Sequence, residues 1–287
     1  MRYPSLILCS FILTVPAEAQ TPPRPGMSER GLAPDPAGQR PIATRDSVWI
    51  EELTWMEVRD ALASGKKTVI VPTGGVEQNG PYVAAGKHNL ILRATAEAIA
   101  RKLGDALVAP IIPFVPEGQI DPPTSHMRYP STISLEESTY QALLKDIARS
   151  LHAHGFRNVI FIGDSKNNQD GMNIVAKQLD DLWRTSGDRA LFVPEYYDWD
   201  DRSRWLRARG FQEVDEGIHD ELSVESIIMA VDPTAIRLAE RQAAGRDSIN
   251  RVKLAPPDSI AKTGRELVQH IADVTVAAIQ RQLQSQR

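Results

Sequence analysis

Thr68-Val69-Ile70-Val71 leads into the turn Thr73-Gly74-Gly75-Val76-Glu77-Gln78-Asn79-Gly80-Pro81, and further along Val159-Ile160-Phe161-Ile162 leads into Gly163-Asp164-Ser165-Lys166-Asn167-Asn168-Gln169. Each joins an uninterrupted apolar run, rich in β-branched residues, to a glycine-rich turn and a helix-like segment. Such a run marks a strand buried on both faces of a parallel sheet. Ligands in open α/β sheets bind beyond the carboxyl ends of the strands. The two turns therefore predict one functional edge presenting Glu77, His88 and Asp164. A glutamate, a histidine and an aspartate converging there would hold a divalent metal.

Outward from these turns, β and α patterns alternate. Residues 49 to 63 carry Leu53, Met56, Val58 and Leu62 at helical spacing, with Gly65 as a stop. Further helices are expected over 89–103, from Glu136-Glu137 through Leu151, around 172–183, over 223–231 and over 260–282. Further strands are expected at 107–112 and 190–193. The fold class predicted is α/β: a layered, mostly parallel β-sheet flanked by helices. Two stretches carry no regular pattern. Residues 114–131 are proline-rich and hold Glu117, Asp121, His126 and Arg128, and a long loop in a compact domain is more often functional than padding. Residues 195–205 crowd Tyr196, Tyr197 and Trp199 among acids, which fits either a pocket wall or a subunit contact.

The start of the chain reads as a secretory signal over residues 1–19: Arg2, an apolar Ser5 to Val15, then Ala17-Glu18-Ala19 before Gln20. That apolar stretch is far below the ~20 residues of a membrane span, so no membrane insertion is expected after cleavage, and the location expected is secreted or periplasmic. Residues 20–47 form a Pro/Gly-rich flexible arm, and 48–287 a single domain. Cys9 is the only cysteine, so the mature chain has no thiolate to catalyse or to bind metal. The formal charge of −4 and the dispersed lysines and arginines point away from nucleic acid.

The landmarks resemble, in order, those of the creatininase (creatinine amidohydrolase) family. The residues that carry the likeness are Gly74 to Pro81; His126-Met127-Arg128-Tyr129-Pro130-Ser131-Thr132-Ile133-Ser134; His154-Gly155-Phe156-Arg157; Gly163 to Asn167; and His219 through Glu225-Ser226. The resemblance implies a creatininase-like fold, a two-metal site in relatives, and hexamers or similar rings, hence a homo-oligomer. It also exposes departures. The family histidine two residues after the glutamate is Asn79, its aspartate falls on His88, its second-turn histidine falls on Asp164, and the position two further on is Lys166.

These substitutions imply one divalent ion (Zn, Mn or Fe) per chain, held by Glu77, His88 and Asp164, with the Lys166 ammonium standing in for the second cation. His219 and Glu225 are the expected proton-transfer groups, since acids flank that imidazole. Asn79, His126, Tyr129 and Asn167 are expected at the substrate, while His152, His154 and His270 are expected to be structural. The function implied is metal-dependent hydrolysis of a small amide or cyclic amide C–N bond. Two alternatives stay open: a binding or scaffold protein that kept the fold, and a lyase or isomerase using one metal as Lewis acid.

Overall fold

The computed structural model describes residues 35–285; the expected signal, and the arm as far as residue 34, lie outside them. The chain divides into Met1–Ile42 and Ala43–Arg287. Within the first unit, Asp35 Oδ1 accepts from the amide of Ala37 at 2.9 Å and forms a turn. The second unit carries the fold.

Four parallel strands make its main sheet: β1 (Thr68–Thr73), β2 (Ala106–Val108), β3 (Asn158–Gly163) and β4 (Arg189–Phe192), in the order β2-β1-β3-β4. The helices are α1 (Trp55–Ala63), α2 (Lys87–Leu103), α3 (Glu137–Ala153), α4 (Gln169–Trp183), α5 (Trp199–Arg207), α6 (Leu222–Val231), α7 (Leu238–Ala243) and α8 (Pro257–Gln284). A small antiparallel pair, β5 (Ser248–Ile249) and β6 (Val252–Lys253), precedes α8.

Successive strand residues point to opposite faces, and that period sorts the core into two layers. Ile70, Ile160 and Ile162 pack with α2, α6 and α8 on one face. Val69, Val71, Val159 and Phe161 pack with α3 and α4 on the other. All of these strand residues are fully buried, each such side chain stabilising the fold by ~1.5–3 kcal/mol. The continuous apolar runs are thus accounted for by a sheet covered on both sides.

Three expectations need correction. The strand expected over 107–112 stops at Val108, and only an isolated bridge from Thr73 to Ile112 continues it; Pro110 has no amide hydrogen for the ladder. The first expected helix splits into a 3-10 turn at Ile50–Glu52 and α1, which begins after Thr54 because Thr54 and Glu57 form a reciprocal capping box. Residues 195–205, which read as irregular, include most of α5. Asp198 caps that helix by accepting from the amide of Asp201 at 2.8 Å.

The register sets Thr73 opposite Gly163, so β1 and β3 end side by side and their turns share one edge. A side chain at Gly163 would meet Met172, Asn168 and Thr73 within 2.4–2.7 Å. Asn168 closes the junction by donating to Thr73 O at 3.1 Å and Gly74 O at 3.2 Å. Among the described residues no helix is long and apolar enough to cross a membrane.

Candidate active site

At that shared edge a cavity of about 1130 Å³ opens, with Glu77, Lys87, His88, His126, His219 and Trp199 among its walls. Its floor is a chain of buried polar contacts that begins and ends on arginine. Arg241 holds Asp220 at 3.3 Å and also pairs with Glu225. Asp220 Oδ1 accepts from the Asn79 amide at 3.0 Å, and Asn79 Oδ1 accepts from the Lys87 ammonium. Lys87 lies 3.1 Å from Glu77 Oε1. The same oxygen is 2.8 Å from His88 Nε2, while His88 Nδ1 is 2.9 Å from Asp164 Oδ2. Asp164 Oδ1 ends the chain on Arg202 at 3.3 Å.

Glu77, His88 and Asp164 therefore do meet, but in line and not around a point. The two imidazole nitrogens lie on opposite edges of the ring and each faces a carboxylate. With the ring between them, the two carboxylates cannot both reach one ion together with a single nitrogen of His88. The expected metal trio is corrected on this ground: Asp164 sits behind His88 and orients it. The donors that share a point are Glu77, His126 and His219, all within 4.8 Å of one another. His126 Nε2 is 3.1 Å from Glu77 Oε2, and His219 Nε2 is 3.7 Å from Glu77 Oε1. His219 Nδ1 is 3.1 Å from the Gln78 carbonyl, closer than the Gln78 side-chain nitrogen at 3.4 Å. A carbonyl only accepts, so Nδ1 carries the hydrogen and Nε2 keeps its lone pair toward the cavity.

Electrostatics follow from burial. Burial alone would raise the Glu77 carboxyl, but the hydrogen bond from His88 and the charges of Lys87, His88 and His126 hold it well below the usual carboxylate range. Glu117 is buried next to it, and burial and then the Glu77 charge push it up to about 9, so that it keeps its proton. His126 and His219 are both shifted down, chiefly by burial; a ring that stays neutral remains a ligand. Glu221, at the cavity wall, is pushed up to about 7 by burial and by neighbouring Glu213.

The other expected residues fall into three groups. Lys166, Asn167, Tyr197 and Trp199 line the cavity, Lys166 from an exposed position. Glu225 is fully buried beneath it against Arg241, Tyr129 is exposed and outside the cavity lining, and Tyr196 is in the core with its hydroxyl 2.8 Å from Thr95. His152 and His270 bond Asp188 and Asp201, and His154 ends α3, which are structural positions. Reading the sequence missed Lys87, Arg202 and Arg241. Lys87 left a signal: it opens α2, where the helix dipole disfavours a cation, so a lysine there asks for a reason.

A divalent ion fits one part of this site and not the other. Two imidazoles and a carboxylate make a familiar donor set for Zn or Mn. A second ion on Glu77 Oε1 would have to sit beside the Lys87 ammonium, with Asn79 and His88 offering no anionic donor.

Comparison with known proteins agrees with the fold. The sequence pattern described as creatininase, creatinine amidohydrolase, matches residues 51–279. A creatinine amidohydrolase of Pseudomonas putida is 28% identical over 159 residues, covering 53% of this chain and 59% of that protein. A mycofactocin precursor peptide peptidase of Mycolicibacterium smegmatis is 27% identical over 131 residues, covering 44% and 49%. The chain thus spans about half to three-fifths of the length of these curated relatives. A creatinine amidohydrolase crystal structure superposes with a TM-score of 0.60 at 21% identity, covering 84% of this chain and 99% of its own. Solved creatininases of this fold include a manganese form, a mutant of Zn–Zn type and a mutant complexed with creatine. With the match running through nearly the whole of its α/β unit, the chain belongs to the creatininase family.

Proposed function

We propose that this protein is a hydrolase of a small amide or cyclic amide C–N bond, working with one divalent ion held by Glu77, His126 and His219. The observation that carries the reading is the convergence of those three donors at the cavity, with the His219 hydrogen committed to Gln78 O. When bound there, an ion supplies Lewis acidity, polarising a carbonyl and acidifying water. The chain supplies the rest. His88, braced by Asp164, fixes Glu77. Tyr197 and Trp199, packed edge to face at 5.4 Å, offer an apolar wall for a small ring or side chain. To Glu221, in the cavity wall, we assign the passing of a proton to the leaving nitrogen, the role expected of His219 and Glu225. The family relation to an amidohydrolase and a peptide peptidase supports C–N hydrolysis, and the residues above take the place of the ligand set expected from the resemblance.

Ion binding tests the reading. Apo protein titrated with Zn²⁺ or Mn²⁺ is expected to take up one ion per chain. H126A and H219A should each weaken binding by about a hundredfold or more, whereas D164N, which touches no ligand directly, should weaken it by no more than about tenfold. Hydrolysis of lactams, cyclic ureas and short peptides would follow the ion. A protein that binds no ion, hydrolyses nothing in this panel and melts identically with and without chelator would be a binding or scaffold protein instead. We further propose that the chain is secreted or periplasmic and works as a homo-oligomer. The signal-like residues 1–19 support the first, and exposed apolar side chains in the 114–133 segment support the second.

A further inference from the structure

We infer that the buried ammonium of Lys87 is a second cation built into the site, which restricts the centre to one ion and offers substrate a fixed positive charge. The inference rests on the single-ion reading above. Lys87 is 3% exposed and is the first residue of α2. Both burial and the positive end of the helix oppose an ammonium there, so its position is set by its partners. Glu77 Oε1 lies 3.1 Å away, and Asn79 Oδ1 accepts a hydrogen bond from it. Asn79 has no freedom to turn: its amide nitrogen donates to Asp220 at 3.0 Å, and Asp220 is itself held by Arg241. The amide oxygen must therefore face Lys87.

Two consequences follow from this placement. A divalent ion brought to the inner side of Glu77 Oε1 would meet the Lys87 ammonium and the His88 ring, at 3.1 and 2.8 Å from that one carboxylate oxygen. One ion on the side of His126 and His219 is what remains. An ammonium has three hydrogens, and among the described residues two are engaged, by Glu77 and Asn79. Because Lys87 lines the cavity, the third is available to an oxygen of the substrate, where negative charge develops when a carbonyl is attacked. A mutant creatininase has been solved as a Zn–Zn type; here the chain itself carries one of the two positive centres.

The experiment is a Zn²⁺ titration of apo wild type, K87M and K87R by competition calorimetry, with turnover measured on the best substrate of the panel and folding checked by circular dichroism. Wild type should bind one ion. K87M should bind its ion at least tenfold tighter, because a repelling charge has gone, while kcat falls at least a hundredfold. K87R, which keeps the charge, should match wild-type affinity within threefold. A merely structural lysine predicts the reverse sign, weaker binding in a loosened site. If K87M does not fold, K87Q, which keeps a donor for Asn79, carries the same comparison. Two ions in wild type, or an affinity that is unchanged or weaker in the folded variant, would overturn this inference alone. No ion in wild type would overturn the single-ion reading together with it.

Discussion

Glu225 shows how a residue can be placed correctly near a site and still be given the wrong task. It was expected to transfer protons, yet it is fully buried and shares Arg241 with Asp220. Two carboxyls on one guanidinium do not both ionise easily. Burial, then the hydrogen bond and charge of Asp220, push Glu225 up to about 9, so the pair keeps a proton at neutral pH. Unfolded, the same carboxyl titrates near 4.5. Between those two values the folded chain binds more protons than the unfolded one, and stability falls as pH rises. Glutamine reproduces the protonated side chain and removes that loss. E225Q is expected to match wild type near pH 4.5 and to be more stable at pH 8 by about 1–3 kcal/mol, discounted for coupling within the pair. Urea unfolding at the two pH values reads this directly. A wild-type advantage that grows with pH would show that Glu225 is ionised and that Arg241 pairs with two anions.

Elements place the site by close approaches that only small residues allow, and α6 against α8 is the clearest. A Cβ on Gly264, in α8, would lie 1.8 Å from the carbonyl oxygen of Ser226 in α6. Since α6 follows directly on Asp220 and carries Glu225, separating the two helices would disturb the floor of the cavity. G264A is expected to cost roughly 3 kcal/mol, the upper range for overpacking, and to lower the melting temperature by several degrees. Thermal unfolding measures it, and a neutral substitution would mean that α8 slides freely over α6. The same elements show what was legible in the sequence. The apolar runs of β1 and β3 were plain because burial on both faces leaves no polar residue to break them. The edge they form, and with it Glu77, His88 and Asp164, followed from topology, whereas His126 came from the resemblance. The metal set did not follow, because sequence spacing says which side chains arrive at an edge and nothing of which imidazole edge faces which oxygen. Arg202 and Arg241 were equally hidden: each sits on a short, polar helix, α5 or α7, whose pattern reads as surface, yet both are 2% exposed.

On the scale of the whole molecule, the segment from 114 to 133 faces both the cavity and the outer surface. It brings His126 to the cavity and buries Glu117, and it also leaves Phe114, Ile120, Tyr129 and Ile133 each about half exposed, at 44%, 45%, 53% and 46%. Scattered apolar side chains on a surface need no explanation, but four large ones in one segment next to a site suggest contact with another chain. A neighbouring copy is the occupant we favour, and packing against it would steady the 3-10 turn Ser125–Arg128 that carries His126. Assembly would then tighten ion binding without donating a ligand. Protein recovered from the periplasm or medium settles location and assembly in one preparation. Its intact mass should correspond to a chain starting at Gln20, and light scattering should give a whole-number multiple of that mass. The double variant Y129D/I133D should run as a monomer, keep its circular dichroism, and bind Zn²⁺ at least tenfold more weakly because His126 is less well held. A full-length N-terminus would refute secretion. A monomeric wild type would refute assembly.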